Sequence, residues 1–362
     1  MPLVYASYLT DRFHSRKHIG IWDEIPDTDM LILSRGTVHA HDLCHLRRVR
    51  FLLFEDCVFM DDVLTGLYQC LDLKILTLRR CSGRGLTRIH LKGLTKLHSL
   101  VFQDMTLPPQ PMDWLDALLQ LRTLQLGHVP WFQDHMITYL QKLTVLQVRS
   151  SSYFTGSTLY CTRALVSLDV SGCRHVTDRC LIHVPNLEAL DVSSCPCVNG
   201  EGLWALSKLD TLLMRGHCGI NTTILWFMPK VRIVDATDNL RIYDEDLKYF
   251  RHVRTLSLGH NHHLTGDGLD WCTQLEALVV PHCSNVDPVH LLHLPKLRLL
   301  DASFSRKVGI ELLPFLPSIQ FLHIHERVLG DLPTRELYPN GVIVERSYDF
   351  RKVPSCLTPS ST

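Results

Sequence analysis

A spacing of 22 residues recurs along this chain and limits what it can fold into. Leu187, Leu190 and Val192 stand as L-x-x-L-x-V, followed by Cys195, Val198, Leu203 and Leu206. The pattern returns 22 positions later at Leu209, Leu212, Met214 and His217, and stands 22 positions earlier at Leu165, Leu168, Val170 and Cys173. Units begin at Val49, Leu73, Leu97, Leu121, Leu143, Leu165, Leu187, Leu209, Val231, Val253, Leu275, Leu297 and Ile319; the first three steps are 24 residues and the rest 22. A weaker unit precedes them near Asp27, with Met30 and Ile32 inward, and another follows near Gly341, with Val344, for about fourteen strands in all. A unit this short buries its apolar face only against the next copy of itself, so a fixed period of this length predicts a stacked solenoid.

Each unit has two halves. The first, such as residues 187–193, alternates apolar and other residues and reads as a short strand. Neighbouring strands pair in parallel. The second half reads as a short helix whose Leu residues (Leu181, Leu203, Leu225, Leu247, Leu269 and Leu291) are its core contacts. Asp287-Pro288 marks a helix start, an N-cap acceptor followed by a residue that needs no N–H partner. Thr177-Asp178, Asp244 and Thr265 read as similar caps. Pro185, Pro229, Pro295 and Pro317 end the turn before the next strand. At the ninth position the backbone leaves the strand and its peptide groups need interior partners. Asn239 and Asn261 supply them; Cys57, Cys81, Cys173, Cys195 and Cys283 fill the same slot as small buried thiols. Met105 and Val129 offer no such bond. The L-x-x-L-x-L-x-x-N/C core is that of a leucine-rich repeat. The predicted fold is an α/β leucine-rich-repeat solenoid, a horseshoe with a parallel β-ribbon on its concave face and short helices on its convex face.

The string CRHVTDRCLIHVPNLEALDVSSC, with V-T-D after Cys173 and then Leu181, resembles the cysteine-containing class of leucine-rich repeat found in F-box adaptors of ubiquitin ligases and in related non-F-box proteins. The resemblance spans residues 27–349. It implies a protein-binding solenoid and, for the F-box members, substrate recognition in ubiquitin transfer. Two departures accompany it: the units are shortened to 22 residues, and residues 1–48 hold no convincing F-box. Residues 1–26, with Trp22, read as an N-terminal cap, residues 27–349 as the repeat domain, and residues 350–362 as a polar, disordered tail.

Charge narrows the partner. Lys plus Arg and Asp plus Glu number 37 each, so the chain carries no general basic surplus for phosphate. Nucleic acid is expected as a partner only within an assembly. No apolar run is long enough to span a membrane. Thirteen cysteines without a secretory signal point to reduced thiols and to the cytoplasm or nucleus; Arg12, Arg16 and Lys17 leave a mitochondrial presequence as the alternative.

The candidate partner-binding residues lie on the solvent side of the strands. The fifth position carries Asp169, Asp191, Asp235 and Asp301; Asp169 and Asp191 are expected on adjacent strands, where like charges call for a cation. Arg79, Arg80 and Arg149, with Lys74 and Arg122, make the early strands basic, so the face is expected to be bipolar. Leu299, Phe304, Phe321 and Ile343 form an expected apolar patch, open to a partner or covered by the chain's own tail. Trp131 and Tyr153 share the eleventh position in consecutive units. Among 21 histidines, His323 and His325 share a strand face, His260 and His282 fall on adjacent strands, and His39, His41, Cys44 and His45 cluster, as do Cys195, Cys197, His217 and Cys218. Core use of the Leu and Cys neighbours favours solvated side chains over a metal site in both clusters. No phosphate-binding glycine loop, dinucleotide fingerprint, H-E-x-x-H or G-x-S-x-G occurs. The chain thus reads as a non-enzymatic scaffold without cofactor or metal, presenting its strand face to a protein partner as a subunit of a larger complex. A ubiquitin-ligase adaptor and an architectural subunit of a ribonucleoprotein or organellar assembly are the alternatives.

Overall fold

The computed structural model describes residues 29–44, 46–60, 62–87, 89–305 and 307–324, together with the backbone of the short strands Val4–Tyr5, Arg335–Leu337 and Ile343–Arg346. The cap expected over 1–26 with Trp22, the tail over 350–362, His45, His325 and the side chain of Ile343 lie outside the described residues. The chain divides into two compact units, Met1–Leu187 and Glu188–Thr362.

In the first unit the strands Met30–Ser34, Phe51–Glu55, Ile75–Arg79, Ser99–Gln103, Thr123–His128, Val145–Arg149 and Ser167–Asp169 pair in parallel in chain order. Their register aligns the fourth position of every unit: Leu52 faces Leu76, then Leu100, Leu124, Leu146 and Leu168. In the second unit Ala189–Asp191, Thr211–Leu213, Ile233–Asp235, Thr255–Ser257, Ala277–Val279, Leu299–Ala302, Phe321–Ile324 and Ile343–Arg346 pair in the same way. Arg335–Leu337 adds an antiparallel edge strand. The aligned Leu and Val column is fully buried, and so are Leu181, Leu203, Leu225, Leu247, Leu269 and Leu291 behind it. Each such side chain contributes about 1.5–3 kcal/mol by leaving water.

The second halves are tighter than the expected helices. Only Ala40–Leu43, Asp178–Leu181 and Pro288–Leu291 form a turn of α-helix among the described residues; the rest are 3-10 turns, such as Glu201–Ala205 and Asp244–Phe250. A 22-residue unit leaves few residues for its return path, and a 3-10 turn advances about 2.0 Å per residue against about 1.5 Å for an α-helix. Asp287 does cap its helix, accepting the Val289 N–H at 3.0 Å. Asp244 and Thr265 do not act as caps: the Asp244 carboxylate accepts the N–H groups of Thr265 and Gly266 and the Thr265 hydroxyl, tying one unit to the next. Asp134 holds Thr155 in the same way.

The ninth position forms a ladder between units. Asn239 Nδ2 donates to the Met214 carbonyl at 2.8 Å and Asn261 Nδ2 to that of Ala236 at 2.9 Å. The Cys173 and Cys283 thiols each reach the equivalent carbonyl, of Val148 and Leu258, at 3.2 Å. Burial pushes both thiols up to about 11. One assignment shifts by a residue: His217 is exposed, and Cys218 takes the buried slot. Where Met105 stands, its backbone carbonyl accepts the His128 N–H instead, at 3.3 Å.

Just before the ladder residue, the eighth position is left-handed in unit after unit. Asp56, Arg80, Asp104, Ser150, Ser194, Asp238, His260, His282 and Phe304 all have φ between 50° and 64°, and Gly172 and Gly216 hold the same place. This conformation turns the chain off the strand toward the interior and, for a residue with a Cβ, costs about 1–2 kcal/mol.

Candidate functional site

The fifth-position carboxylates are built into the strand ends. Asp169, Asp191, Asp235 and Asp301 each accept the backbone N–H two residues on, at 2.9–3.0 Å, from Ser171, Ser193, Thr237 and Ser303. Three of them also face a guanidinium. Arg149 Nε lies 2.7 Å from Asp169, and Gln147 donates to the same oxygen at 3.0 Å. Arg215 lies 3.1 Å from Asp191 and 3.7 Å from Asp235. Arg215 had no place in the sequence reading, although it stands at the seventh position between two acidic strands. Asp169 falls in the first unit and Asp191 in the second, so each is described with its own neighbours.

The arginines of the early strands are engaged as well. Arg80 makes a forked contact with Asp56, at 2.7 and 2.9 Å, and reaches Glu55 at 3.0 Å. Its guanidinium holds the Asp56 carboxyl below the ordinary range. Arg79 reaches Glu55 at 3.4 Å and Gln103 at 3.1 Å. Glu55 and Asp56, which the sequence reading passed over, thus neutralise this rim.

The open positive charge of the first unit lies elsewhere. Arg50, Lys74, His98 and Arg122 occupy the second position of four consecutive units, each donating its backbone N–H to the carbonyl of the one before at 2.7–2.8 Å from Lys74 onward. Arg50 is 3.7 Å from Asp29; Lys74 and Arg122 are exposed and pair with no carboxylate among the described residues. Like charges on neighbouring strands repel, so an anion laid along this row would be stabilising. Beside the row run the half-buried side chains of Phe51 and Ile75, then Leu53, Thr77 and Val101, a largely apolar floor.

In the second unit, Leu299 is buried, and Phe321, its partner in the register, is partly exposed. Phe304 stands in another column. Its ring stacks on His282 at 4.2 Å, and His282 stacks on His260 at 4.6 Å, so the left-handed rim position carries three rings in line. The expected four-residue apolar patch is therefore split between two columns. His323 pairs in register with Asp301. Trp131 is half-buried and donates its indole N–H to the Leu107 carbonyl at 3.1 Å, closing the corner of the preceding unit, while Tyr153 is exposed. His39 and His41 stack on each other at 5.4 Å, and the Cys44 thiol is bonded to the Ala40 carbonyl. No group of three His, Cys, Asp or Glu among the described residues is placed to hold a metal ion. No helix among them is long and apolar enough to cross a membrane.

One surface escaped the sequence reading altogether. On the helical side of the second unit, Trp204 (73% exposed), Trp226 (40%), Phe227 (77%), Trp271 (62%) and Phe315 (64%) lie at two adjacent repeat positions, with Tyr249 between Phe227 and Trp271 and with Leu292 and His293 in the repeat before Phe315. The signal was present in the spacing, since 22 residues separate Trp204 from Trp226, Phe227 from Tyr249, and Tyr249 from Trp271. It was hidden because aromatic residues at helical spacing ordinarily face the core.

Comparison with known proteins agrees with this architecture. A family model described as Leucine Rich repeat matches residues 183–207 and 251–270. No curated protein matches the chain. Among solved structures, the internalin InlF of Listeria monocytogenes is similar at 16% identity and a TM-score of 0.63, covering 84% of this chain and 88% of that one. A leucine-rich-repeat protein of Leptospira interrogans shows 14% identity and a TM-score of 0.57, covering 81% and 83%. The functional domain of InlJ from Listeria monocytogenes, whose description includes a cysteine ladder, shows 17% identity and 0.55, covering 78% and 59%. Leucine-rich-repeat sequence at residues 183–207 and 251–270, and the strand stacking within each unit, give this chain a leucine-rich-repeat solenoid fold.

Proposed function

We propose that this protein is a non-catalytic scaffold that holds an acidic protein segment against the strand face of its first unit, as one subunit of a larger complex. Leucine-rich repeats serve as protein-interaction scaffolds. The observation that carries the reading is the row of Arg50, Lys74, His98 and Arg122 beside a largely apolar floor. A chain of acidic and aliphatic residues matches both. A nucleic acid matches the cations, but of the floor residues only Phe51 offers a ring on which a base could stack. The ribonucleoprotein alternative also rested on Arg79, Arg80 and Arg149, which the carboxylates of Glu55, Asp56 and Asp169 already engage. A ubiquitin-ligase role rests on residues 1–48, most of which lie outside the described residues.

The non-enzymatic reading is supported by the acidic column. Each of its carboxylates is held by a backbone N–H, and three by a guanidinium, so none stands ready to take a proton from a substrate. A reducing compartment, the cytoplasm or nucleus with the mitochondrion as the alternative, is part of the same proposal and rests on the cysteine-rich sequence. The test is quantitative affinity capture by tagged wild-type chain and by a folded Lys74→Glu, Arg122→Glu variant. Loss of the same partner from the variant supports the reading. Undiminished capture by the variant contradicts it.

A further inference from the structure

We propose that the exposed aromatic stripe of the second unit is the interface for a second copy of this chain, paired about a two-fold axis parallel to the stripe. The elements that carry it, Glu201–Ala205, Thr222–Phe227, Asp244–Phe250, Leu269–Trp271 and Ile310–Phe315, lie along the helical side of the unit, with Pro288–Leu291 and the exposed Leu292 between the last two. The Trp226 and Tyr249 rings meet edge to face at 6.3 Å, and the Arg251 guanidinium lies 3.7 Å over the Trp226 ring. At 150–250 Å² per aromatic side chain, the exposed fractions of Trp204, Trp226, Phe227, Trp271 and Phe315 amount to roughly 600 Å². A stable pair of proteins buries about 800 Å² on each partner, which this stripe reaches once its charged borders are included. An exposed apolar surface of this size, crossed by Lys248 and Asp270 at the eighteenth position, marks a contact.

The borders select a copy of the same chain. Along one side of the stripe, at the fifteenth position of their units, stand exposed Glu201, Glu245, Asp267 and Glu311. Along the other side, at the twenty-second position, stand exposed Lys208, Lys230 and Lys296. Two-fold symmetry about an axis running along the stripe sets the acidic border of each copy against the basic border of the other. An axis across the stripe would set acid against acid. The surface is therefore self-complementary in one orientation, as a closed symmetric pair requires. This pairing uses the helical side alone and leaves the strand row of the first unit unused, so it stands or falls independently of the function proposed above.

Sedimentation equilibrium over a concentration series tests it. Wild type is expected to form a dimer, and Phe227→Glu with Trp271→Glu to weaken it by roughly tenfold or more per ring. Both side chains are exposed, so the variant keeps its fold, which circular dichroism checks. A second pair of chains separates charge from packing. One carries Glu201→Lys, Glu245→Lys and Asp267→Lys; the other carries Lys208→Glu, Lys230→Glu and Lys296→Glu. Each alone is expected to be monomeric, and their mixture to give a one-to-one heterodimer. A monomeric wild type, a dimer indifferent to the two ring substitutions, or failure of the mixed chains to associate overturns the proposal. So does a monomer whose stripe binds anionic phospholipid vesicles or a different protein.

Discussion

At the scale of single residues, the ladder position decides whether a corner closes. Asn239 is buried and its amide N–H is bonded to the Met214 carbonyl, so Asn239→Ala leaves that carbonyl without this donor. The expected loss is about 1–3 kcal/mol in urea unfolding, larger than for most surface substitutions. The cysteines of the interior behave as small apolar groups. Burial raises Cys173, Cys218 and Cys283 to about 11 and Cys272 to about 12, above the ordinary thiol value of 9.0. In the unfolded chain these thiols lose their protons near pH 9; in the folded chain they keep them. Their contribution to stability is full below pH 9 and is lost as pH rises from there toward 11 and 12. The melting temperature is expected to fall steeply across that window. Native alkylation at neutral pH is expected to modify the exposed Cys197 and spare the buried ladder, which peptide mapping reads directly.

At the scale of elements, two devices recur. One is the helix or 3-10 turn held from its neighbours. Asp287 caps the helix Pro288–Leu291, and Asp287→Ala is expected to cost about 1 kcal/mol by thermal or chemical unfolding. The other is the left-handed turn off each strand. Asp104 sits there with φ of 53° and an exposed side chain, so Asp104→Gly is expected to stabilise the protein by up to about 1 kcal/mol. The same change at Phe304 also removes a ring stacked on His282, so a smaller gain or a loss is expected there. Much of this level was legible in advance. The L-x-x-L-x-L spacing located the strands, their register and the buried ladder, because each is fixed by local periodicity. The 3-10 character of the turns was not legible, since it follows from how much distance a short unit must cover. The tie from Asp244 to Thr265 was misread as two caps because an acid before an apolar turn has the same sequence signature whether it serves its own turn or the next unit.

At the scale of the whole molecule, the candidate site was legible as positions and obscure as chemistry. Sequence placed Asp169, Asp191, Asp235 and Asp301 on the strand face, but their bonds come from Arg149, Arg215 and backbone N–H groups brought there by folding. The same holds for Arg79 and Arg80, whose charge is met by Glu55 and Asp56 one unit earlier. What stays open after these pairings is Lys74 and Arg122, in the row that Arg50 and His98 complete, and the central claim is that an acidic protein segment lies along it. A zero-length carbodiimide cross-link between an amine and a carboxylate in the captured complex measures this contact directly. The account predicts a bond from Lys74 to an Asp or Glu of the partner, read by mass spectrometry. Cross-links to the partner only from the helical-side lysines Lys208, Lys230 and Lys296, with Lys74 unmodified, would contradict it.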